Sequence, residues 1–594
     1  MRRTFVVFAL LTALLGCAAA CGPAADTDSG PTGSPDERDA VAIPQGKADA
    51  PWSDCQGEQV LLWLNDPNTE LTDLKEAGVH TRGARNIVEY RNGEDETYGT
   101  EDDDPFDDLE EVDDVYYVGP VAMEQLTSAV ADGCQNAPRR SADAIFSPQP
   151  YDDSHLVHTA ELIDRADESI DIAMYSFSNQ QILEALERAV DRGVEIRMIY
   201  NKTEQERDEG DDTLSAKLER KGVNVRWVNR VMHHKYAIID GPQDSLRQAS
   251  STTVVTGSGN WSYGAASIYD ENTVTLRGDA EIALRFQNEF NLMWEYSREY
   301  VKNEDLTYEE TLRFDREMIP DGEGVDASFT SDNFRTYVSS RWGPTFGIKR
   351  GVSTVSKRIV GLIEEADESI WVASGHLRSR PISEALLKKH RNNPEMDIRI
   401  YLDNQEHISA GYHYYQKQQL EECLQEAGDS QAQRADCLNK GFYFSYQLHD
   451  AGIPVRFKTY AYRWHYTYAK QMHHKYLIFD GDTLVSGSYN LSDNAEHNTL
   501  ENVIVYRDSQ YRRLIDRFEQ NFTEIWKTGQ SENRYDSLKQ TLREATDEIP
   551  IVFEPMALTY RQVVDLEELI EQTCPAVTSE DYDEDPENHE TCEL

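Results

Sequence analysis

Two stretches of this chain repeat one pattern in the same order, and that repetition limits the possible folds more than any other feature. Residues 232–236 read Met-His-His-Lys-Tyr, Asp240 follows, then Gly-Ser-x-Asn with Ser258 and Asn260, then Glu271-Asn272. The second copy supplies Met472, His473, Lys475, Asp480, Ser488, Asn490, Glu501 and Asn502 in the same order. His473 lies 240 positions after His233, and Glu501 lies 230 after Glu271. An internal duplication is the economical explanation.

The flanking sequence repeats as well. Ala166-Asp-Glu-Ser-Ile170 recurs at Ala366–Ile370, each time leaving a helical stretch and entering an alternating strand. Further strand pairs are expected at Val194–Tyr200 and Asp397–Leu402, at Val223–Val228 and Ile453–Lys458, and at Tyr236–Ile239 and Tyr476–Phe479. After each Glu-Asn strand a helix carries aromatics four apart, Phe286, Phe290 and Trp294 in one copy and Phe518, Phe522 and Trp526 in the other. That spacing marks a core-facing stripe. Strands alternating with helices predict an α/β sandwich in each half, 141–300 and 330–530.

Residues two apart on a strand share a face, so His233 and Lys235 look at one site, as do His473 and Lys475. Face-to-face packing of the halves would bring two imidazoles and two ammoniums together. Such a set suits an anionic phosphodiester. The lysines, with Asn260 and Asn490 as donors, would hold the nonbridging oxygens. One neutral His would attack phosphorus to give a phosphohistidine, and the other would protonate the leaving alcohol and then take a proton from water. Glu271 and Glu501 would orient the imidazoles, with Ser258 and Ser488 beside them in the Gly-Ser-x-Asn segments. No metal or cofactor is needed, and a lysine beside each His opposes a bound cation. His234 and His474 fall on the opposite strand face, where packing is the expected role.

The paired H-x-K-x4-D and G-S-x-N segments resemble the signature of the phospholipase D superfamily. The resemblance spans 141–530 and implies one metal-independent active site at the interface of two α/β/α sandwich halves related by a pseudo-twofold axis. It makes the chain a monomer that contains its own pseudo-dimer. It also implies that the first-copy His, here His233, is the nucleophile and His473 the acid; the residues alone do not order them. Asp240 and Asp480 complete the catalytic motif by resemblance, while their place at strand ends beyond the His–Lys pair assigns them to structural pairing.

The superfamily includes lipid hydrolases, nucleases and phosphatidyl transferases, and charge bears on the choice. With 58 basic against 108 acidic residues the chain carries −50, which repels a nucleic acid. A phospholipid or membrane surface is the expected partner, with nucleic acid the alternative. A transferase would call for membrane-embedded segments, and no later apolar run is long enough to span a bilayer. A tethered binding protein with a dead site is the remaining class, opposed by the intact residues of both copies.

Residues 1–21 read as an export signal: Arg2 and Arg3, an apolar run from Phe5 to Leu15, then Cys17 and Cys21 as two lipidation candidates. Leu14 upstream favours Cys17; an even count of the remaining cysteines favours Cys21. Export makes disulfides plausible, with Cys55 and Cys134, Cys423 and Cys437, and Cys574 and Cys592 as neighbours in sequence. Residues 22–50 suit a flexible tether.

Residues 51–138 hold two helical stretches, Leu71–Arg91 and Val112–Val130, each broken by a Gly turn. They resemble helix-hairpin-helix modules that present backbone N–H groups to DNA phosphate. Here Lys75, Arg82, Arg85 and Arg91 face an excess of carboxylates, including Asp102, Asp103, Asp104, Asp107 and Asp108. A spacer, a Ca²⁺-binding loop or a protein-binding module are the open readings. The second copy alone has an insertion around Cys423 and Cys437 and an aromatic loop from Tyr462 to Tyr468, where selectivity is expected. Residues 531–594 read as an acidic helical tail.

Overall fold

The computed structural model describes residues 52–100, 102–136, 140–201, 203, 212–243, 245–300, 324–438, 442–460, 469–544 and 553–573. The signal, the tether, the aromatic loop Tyr462–Tyr468 and the Cys574–Cys592 pair lie outside the described residues.

The first half contributes β1 (Ser141–Ser147), β2 (Ser169–Met174), β3 (Glu195–Tyr200), β4 (Asn224–Trp227), β5 (Lys235–Ile239), β6 (Thr253–Gly257), β7 (Glu271–Arg277) and β8 (Arg298–Glu299). The second contributes β9 (Val325–Phe329), β10 (Ser369–Ser374), β11 (Asp397–Asp403), β12 (Val455–Thr459), β13 (Lys475–Phe479), β14 (Thr483–Gly487), β15 (Asn502–Tyr506) and β16 (Met556–Thr559). Each set forms an eight-stranded sheet. The first runs β1-β7-β6-β5-β2-β3-β4-β8, and the second repeats that order as β9-β15-β14-β13-β10-β11-β12-β16. The duplicated α/β fold expected from the repeat is therefore present down to the strand order.

Both faces of each sheet are covered, which explains why β2 is buried at every position. Its one carboxylate, Asp171, is neutralised by Arg197 at 2.6 Å. One face of the first sheet packs Ile172 and Met198 against helices carrying Leu156, Ile163, Ile182 and Leu186. The other face joins a core shared by both halves, where the aromatic stripes Phe286, Phe290, Trp294 and Phe518, Phe522, Trp526 lie. All six rings are buried, as the four-residue spacing predicts.

The second half is larger than 330–530. Strand β9 starts at Val325, and β16 at the opposite edge comes from beyond residue 530, pairing antiparallel with β12. Leu542, Val563, Leu566 and Ile570 of the two helices around β16 enter the second core. The segment read as an acidic tail thus completes the sheet through residue 573, its apolar positions masked in composition by the acidic face. The insertion is a helical hairpin, Ala410–Ala427 and Gln431–Leu438, closed by Cys423–Cys437.

The N-terminal module has six helices, α1 (Asp54–Leu64), α2 (Leu71–Glu76), α3 (Thr81–Arg91), α4 (Leu109–Asp114), α5 (Pro120–Ala129) and α6 (Ala131–Asn136). The pairs α2–α3 and α4–α5 are the two expected hairpins, and Gly78 supplies the positive φ of the first turn, +98°. Cys55–Cys134 ties α1 to α6. The module is docked on the first half: Leu62 packs with Leu246, Ala280 and Leu284, and Ser245 donates to Asp66 at 2.6 Å.

Arg91 is not a surface charge, because it is buried and donates to the carbonyls of Leu64 and Asp66. Asp102 and Asp103 accept hydrogen bonds from the loop's own N–H groups. Among the described residues no group of three or more His, Cys, Asp or Glu could hold a metal ion.

Candidate active site

Each motif copy crosses to the other half before its imidazole is presented. Val231 and Met232 pair in parallel with Thr499 and Leu500, and Met472 makes the matching bridge to Asp270. The N–H of His233 donates to Leu500 O and that of His473 to Asp270 O, both at 3.0 Å. These acceptors immediately precede Glu501 and Glu271. The backbone thereby fixes each imidazole against the opposite half's glutamate.

The side chains follow. His233 Nδ1 lies 2.7 Å from Glu501 Oε1, and His473 Nδ1 lies 2.6 Å from Glu271 Oε1. A carboxylate beside Nδ1 accepts its proton and leaves Nε2 of both rings for a substrate. The asparagines that follow the glutamates cross as well. Asn502 Nδ2 donates to His234 Nδ1 at 2.9 Å, and Asn272 Nδ2 to His474 Nδ1 at 3.2 Å. His234 and His474 are fully buried, so the expected packing role extends to bracing the interface. The two brace sites differ: His234 Nε2 meets Glu289 at 3.0 Å, whereas His474 Nε2 has no hydrogen-bond partner among the described residues.

Ser258 and Ser488 are wholly buried and accept the N–H groups of Asn272 and Asn502 at 2.9 and 3.0 Å. They hold the Glu-Asn strands, and the side chain of each also hydrogen-bonds the glutamate of its own copy, Ser258 with Glu271 and Ser488 with Glu501. The glycines before them allow this approach, since a Cβ on Gly257 or Gly487 would stand 2.3 Å from the carbonyl oxygen of Asn272 or Asn502. Asn260 and Asn490 end the loops after β6 and β14, and the buried Oδ1 of each has no hydrogen-bond partner among the described residues. Lys235 and Lys475 are 3 % and 2 % exposed, and each donates back to the carbonyl of its own copy's His at 2.7 Å.

Crowding sets the electrostatics. Burial, then Lys235 and Lys475, hold the His233 imidazole well below its ordinary pKa, and burial with Lys475 and Lys235 does the same for His473. Burial lowers Lys235 to about 7 and Lys475 to about 8. Burial also raises Glu271 and Glu501 to about 7. Burial and crowding thus leave the imidazoles short of protons and the carboxyls reluctant to charge.

Asp240 and Asp480 are not part of this cluster. Each ends the strand that begins with the motif lysine, at the far end from the imidazole. Asp240 Oδ1 accepts the N–H groups of Asp167, Glu168 and Ser169 at 3.0, 2.8 and 3.2 Å. Asp480 accepts the N–H of Asp367 on Oδ2 at 2.8 Å and those of Glu368 and Ser369 on Oδ1 at 2.7 and 2.8 Å. This pairing explains why Ala-Asp-Glu-Ser-Ile recurs, and why both aspartates adopt positive φ, 51° and 52°. Their membership of the catalytic set is corrected to the structural pairing that their position suggests. Asp240→Ala is expected to cost about 2 kcal/mol in urea unfolding, because three N–H groups lose a charged acceptor, with little change in kcat.

Several neighbours carry no signal in the motif. The Tyr175 ring sits edge-on to His233 at 4.5 Å, with Lys235 Nζ 5.2 Å from its centroid. His155 Nε2 bonds Asn260 O at 3.0 Å. Lys458 pairs with Asp270 at 2.7 Å, bracing the segment that receives His473. Only the place of Tyr175 at the carboxyl end of a parallel strand could have marked it in advance.

A family model described as "Cardiolipin synthase, PLD-like domain" matches residues 159–294 and 359–526, one segment in each half. The chain belongs to the phospholipase D superfamily. Curated relatives within this superfamily match one repeat's worth of sequence. Mitochondrial cardiolipin hydrolase of Xenopus tropicalis is 30% identical over 150 residues, 25% of this chain and 65% of that protein. The Drosophila melanogaster protein of the same name is 32% identical over 168 residues, 25% of this chain and 61% of that one. The chain therefore spans less than two thirds of the length of these relatives. Among solved structures, the phospholipase D family member Nuc from Salmonella typhimurium is 25% identical, with a TM-score of 0.23, covering 27% of this chain and 99% of its own. A phosphatidylserine synthase from Haemophilus influenzae is 13% identical, with a TM-score of 0.40, covering 67% and 90%.

Proposed function

We propose that this phospholipase D superfamily member hydrolyses a phospholipid phosphodiester through a covalent phosphohistidine. The observation that carries the reading is the crossed pair of dyads, His233–Glu501 and His473–Glu271, closed around two buried lysines. The Nε2 lone pair of His233 attacks phosphorus and forms the N–P bond. The P–O bond to the alcohol breaks as His473 Nε2–H gives up its proton. Water then gives a proton to His473 and its oxygen to phosphorus, breaking the N–P bond and releasing the phosphomonoester. Lys235, Lys475, Asn260 and Asn490 hold the nonbridging oxygens through this charge build-up.

The depressed lysine and histidine pKa values fit this cycle. An entering phosphodiester brings negative charge into this buried cluster, so protons return to the groups that must donate. Binding of inorganic phosphate at pH 7.5 is accordingly expected to take up about one proton, because Lys235 and Lys475 titrate near 7 and 8 when the site is empty. Calorimetry in two buffers of different ionisation enthalpy reads this directly, and identical apparent enthalpies would contradict it.

The lipid choice is supported by the cardiolipin hydrolase relatives and by the net charge of −50, which disfavours a polyanion. An exported or envelope-anchored location is part of the same proposal, supported by Cys55–Cys134 and Cys423–Cys437. The deciding assay offers phospholipids and single-stranded DNA to the protein in chelator. Headgroup release is the expected product; cleavage of DNA alone would favour a nuclease, and strict dependence on added metal would defeat the mechanism.

A further inference from the structure

The second half contains an imidazole–carboxylate pair, His376–Glu406, with no counterpart at the matching position of the first half. His376 Nδ1 lies 3.0 Å from Glu406 Oε1, and Glu406 is 1 % exposed. The same carboxylate accepts from the N–H of Leu377 at 3.1 Å and pairs with Arg378 at 2.7 Å. With Nδ1 engaged, Nε2 is the ring nitrogen left for a ligand, on a side chain 28% exposed. The repeat shows how unusual this is. Leu377 pairs with Leu491 where Phe177 pairs with Trp261, so His376 occupies the position of Ser176.

The place of His376 relative to the chemistry follows from the same alignment. Gly375 N–H donates to His474 O at 3.1 Å, as Tyr175 N–H does to His234 O at 3.0 Å. The first half thus covers His233 with the Tyr175 ring, whereas Gly375 contributes no side chain at the matching position beside His473. A Cβ on Gly375 would come within 3.7 Å of His473 Cα. His473 is correspondingly the more open imidazole, its side chain 20% exposed against 11% for His233. His376 also adjoins the strand that follows Asn490, a proposed phosphate-binding residue.

We infer that His376, oriented by Glu406, is a specificity-determining residue that binds a second anionic group carried by the alcohol portion of the substrate. In-line displacement puts nucleophile and leaving group on opposite sides of phosphorus. The groups around the acid, His473, therefore meet the departing alcohol. The imidazole Nε2 with the Arg378 guanidinium beside it selects alcohols bearing a further phosphate or carboxylate, through charge-assisted hydrogen bonds. The inference rests on the phosphodiesterase reading for the identity of the alcohol side, but the anion subsite itself does not require turnover.

The test uses the full chain with His376→Gln and His376→Arg. Equilibrium binding compares inorganic phosphate with propane-1,3-diyl bisphosphate; turnover compares phosphatidylglycerol, phosphatidylserine and phosphatidylglycerol phosphate. The wild type is expected to prefer the bisphosphate by about tenfold or more, and the Gln variant to lose that preference while Arg recovers most of it. In turnover the same loss appears in KM for the alcohol bearing the second anion, with kcat changing less. Whether phosphatidylserine or phosphatidylglycerol phosphate shows the larger KM effect distinguishes carboxylate from phosphate. Equal losses for single and double anions in the Gln variant would overturn the subsite, as would a wild type without preference. A bisphosphate preference that needs His376, in a protein that cleaves none of the lipids, would keep the subsite and remove the phosphodiesterase reading.

Discussion

His233→Ala and His473→Ala are each expected to lower steady-state phosphodiester hydrolysis by about 10⁴-fold or more, because in the proposed mechanism the two rings act as one unit and neither can replace the other. The two variants fail at different steps, and a substrate with p-nitrophenol as its alcohol separates them. That leaving group departs without a proton, so an enzyme lacking only the acid still forms the N–P bond. His473→Ala is expected to release one equivalent of p-nitrophenolate in a burst and then stall, since no base remains to activate water. The stalled protein carries phosphohistidine at 233, detectable by mass spectrometry as an acid-labile adduct. His233→Ala gives no burst. A burst from His233→Ala and none from His473→Ala would reverse the order of the two residues without disturbing the mechanism.

The glutamates provide the second large effect and a test of the crossed architecture. Glu501→Gln is expected to reproduce the defect of His233→Ala, and Glu271→Gln that of His473→Ala, each with a loss of about 10²–10⁴-fold. The amide keeps the shape of the side chain but loses the carboxylate that holds Nδ1–H. The informative result is the pairing. If each glutamate instead matched the histidine of its own copy, the contacts at 2.7 and 2.6 Å would not be the ones that govern catalysis.

The repeated motif made the fold and the candidate site legible because duplication doubles every signal. Strands, aromatic stripes and the His-Lys faces could each be checked against a second copy. What it could not show was which copy's glutamate serves which histidine, since that depends on the parallel contact between 231–232 and 499–500 and its counterpart at 270 and 472. Pairing over more than 200 residues leaves no local pattern. The edge strand Met556–Thr559 went unread for a related reason: four residues with one neighbouring strand have too short a period to stand out in an acidic context. Asp240 was ambiguous because a motif records proximity in sequence, whereas the length of β5 separates its two ends in space. Tyr175 and His376 lie outside the motif and are found only by asking where the two halves differ.

The exchange of glutamates also bears on how such a chain can change over generations. A duplicated gene ordinarily frees one copy to drift, yet here each copy keeps its partner's imidazole in place. A substitution at Glu271 is felt at His473, and one at Glu501 at His233. The halves are bound to a common history at these positions, and divergence is confined to what surrounds them, as Gly375 and His376 already show against Tyr175 and Ser176.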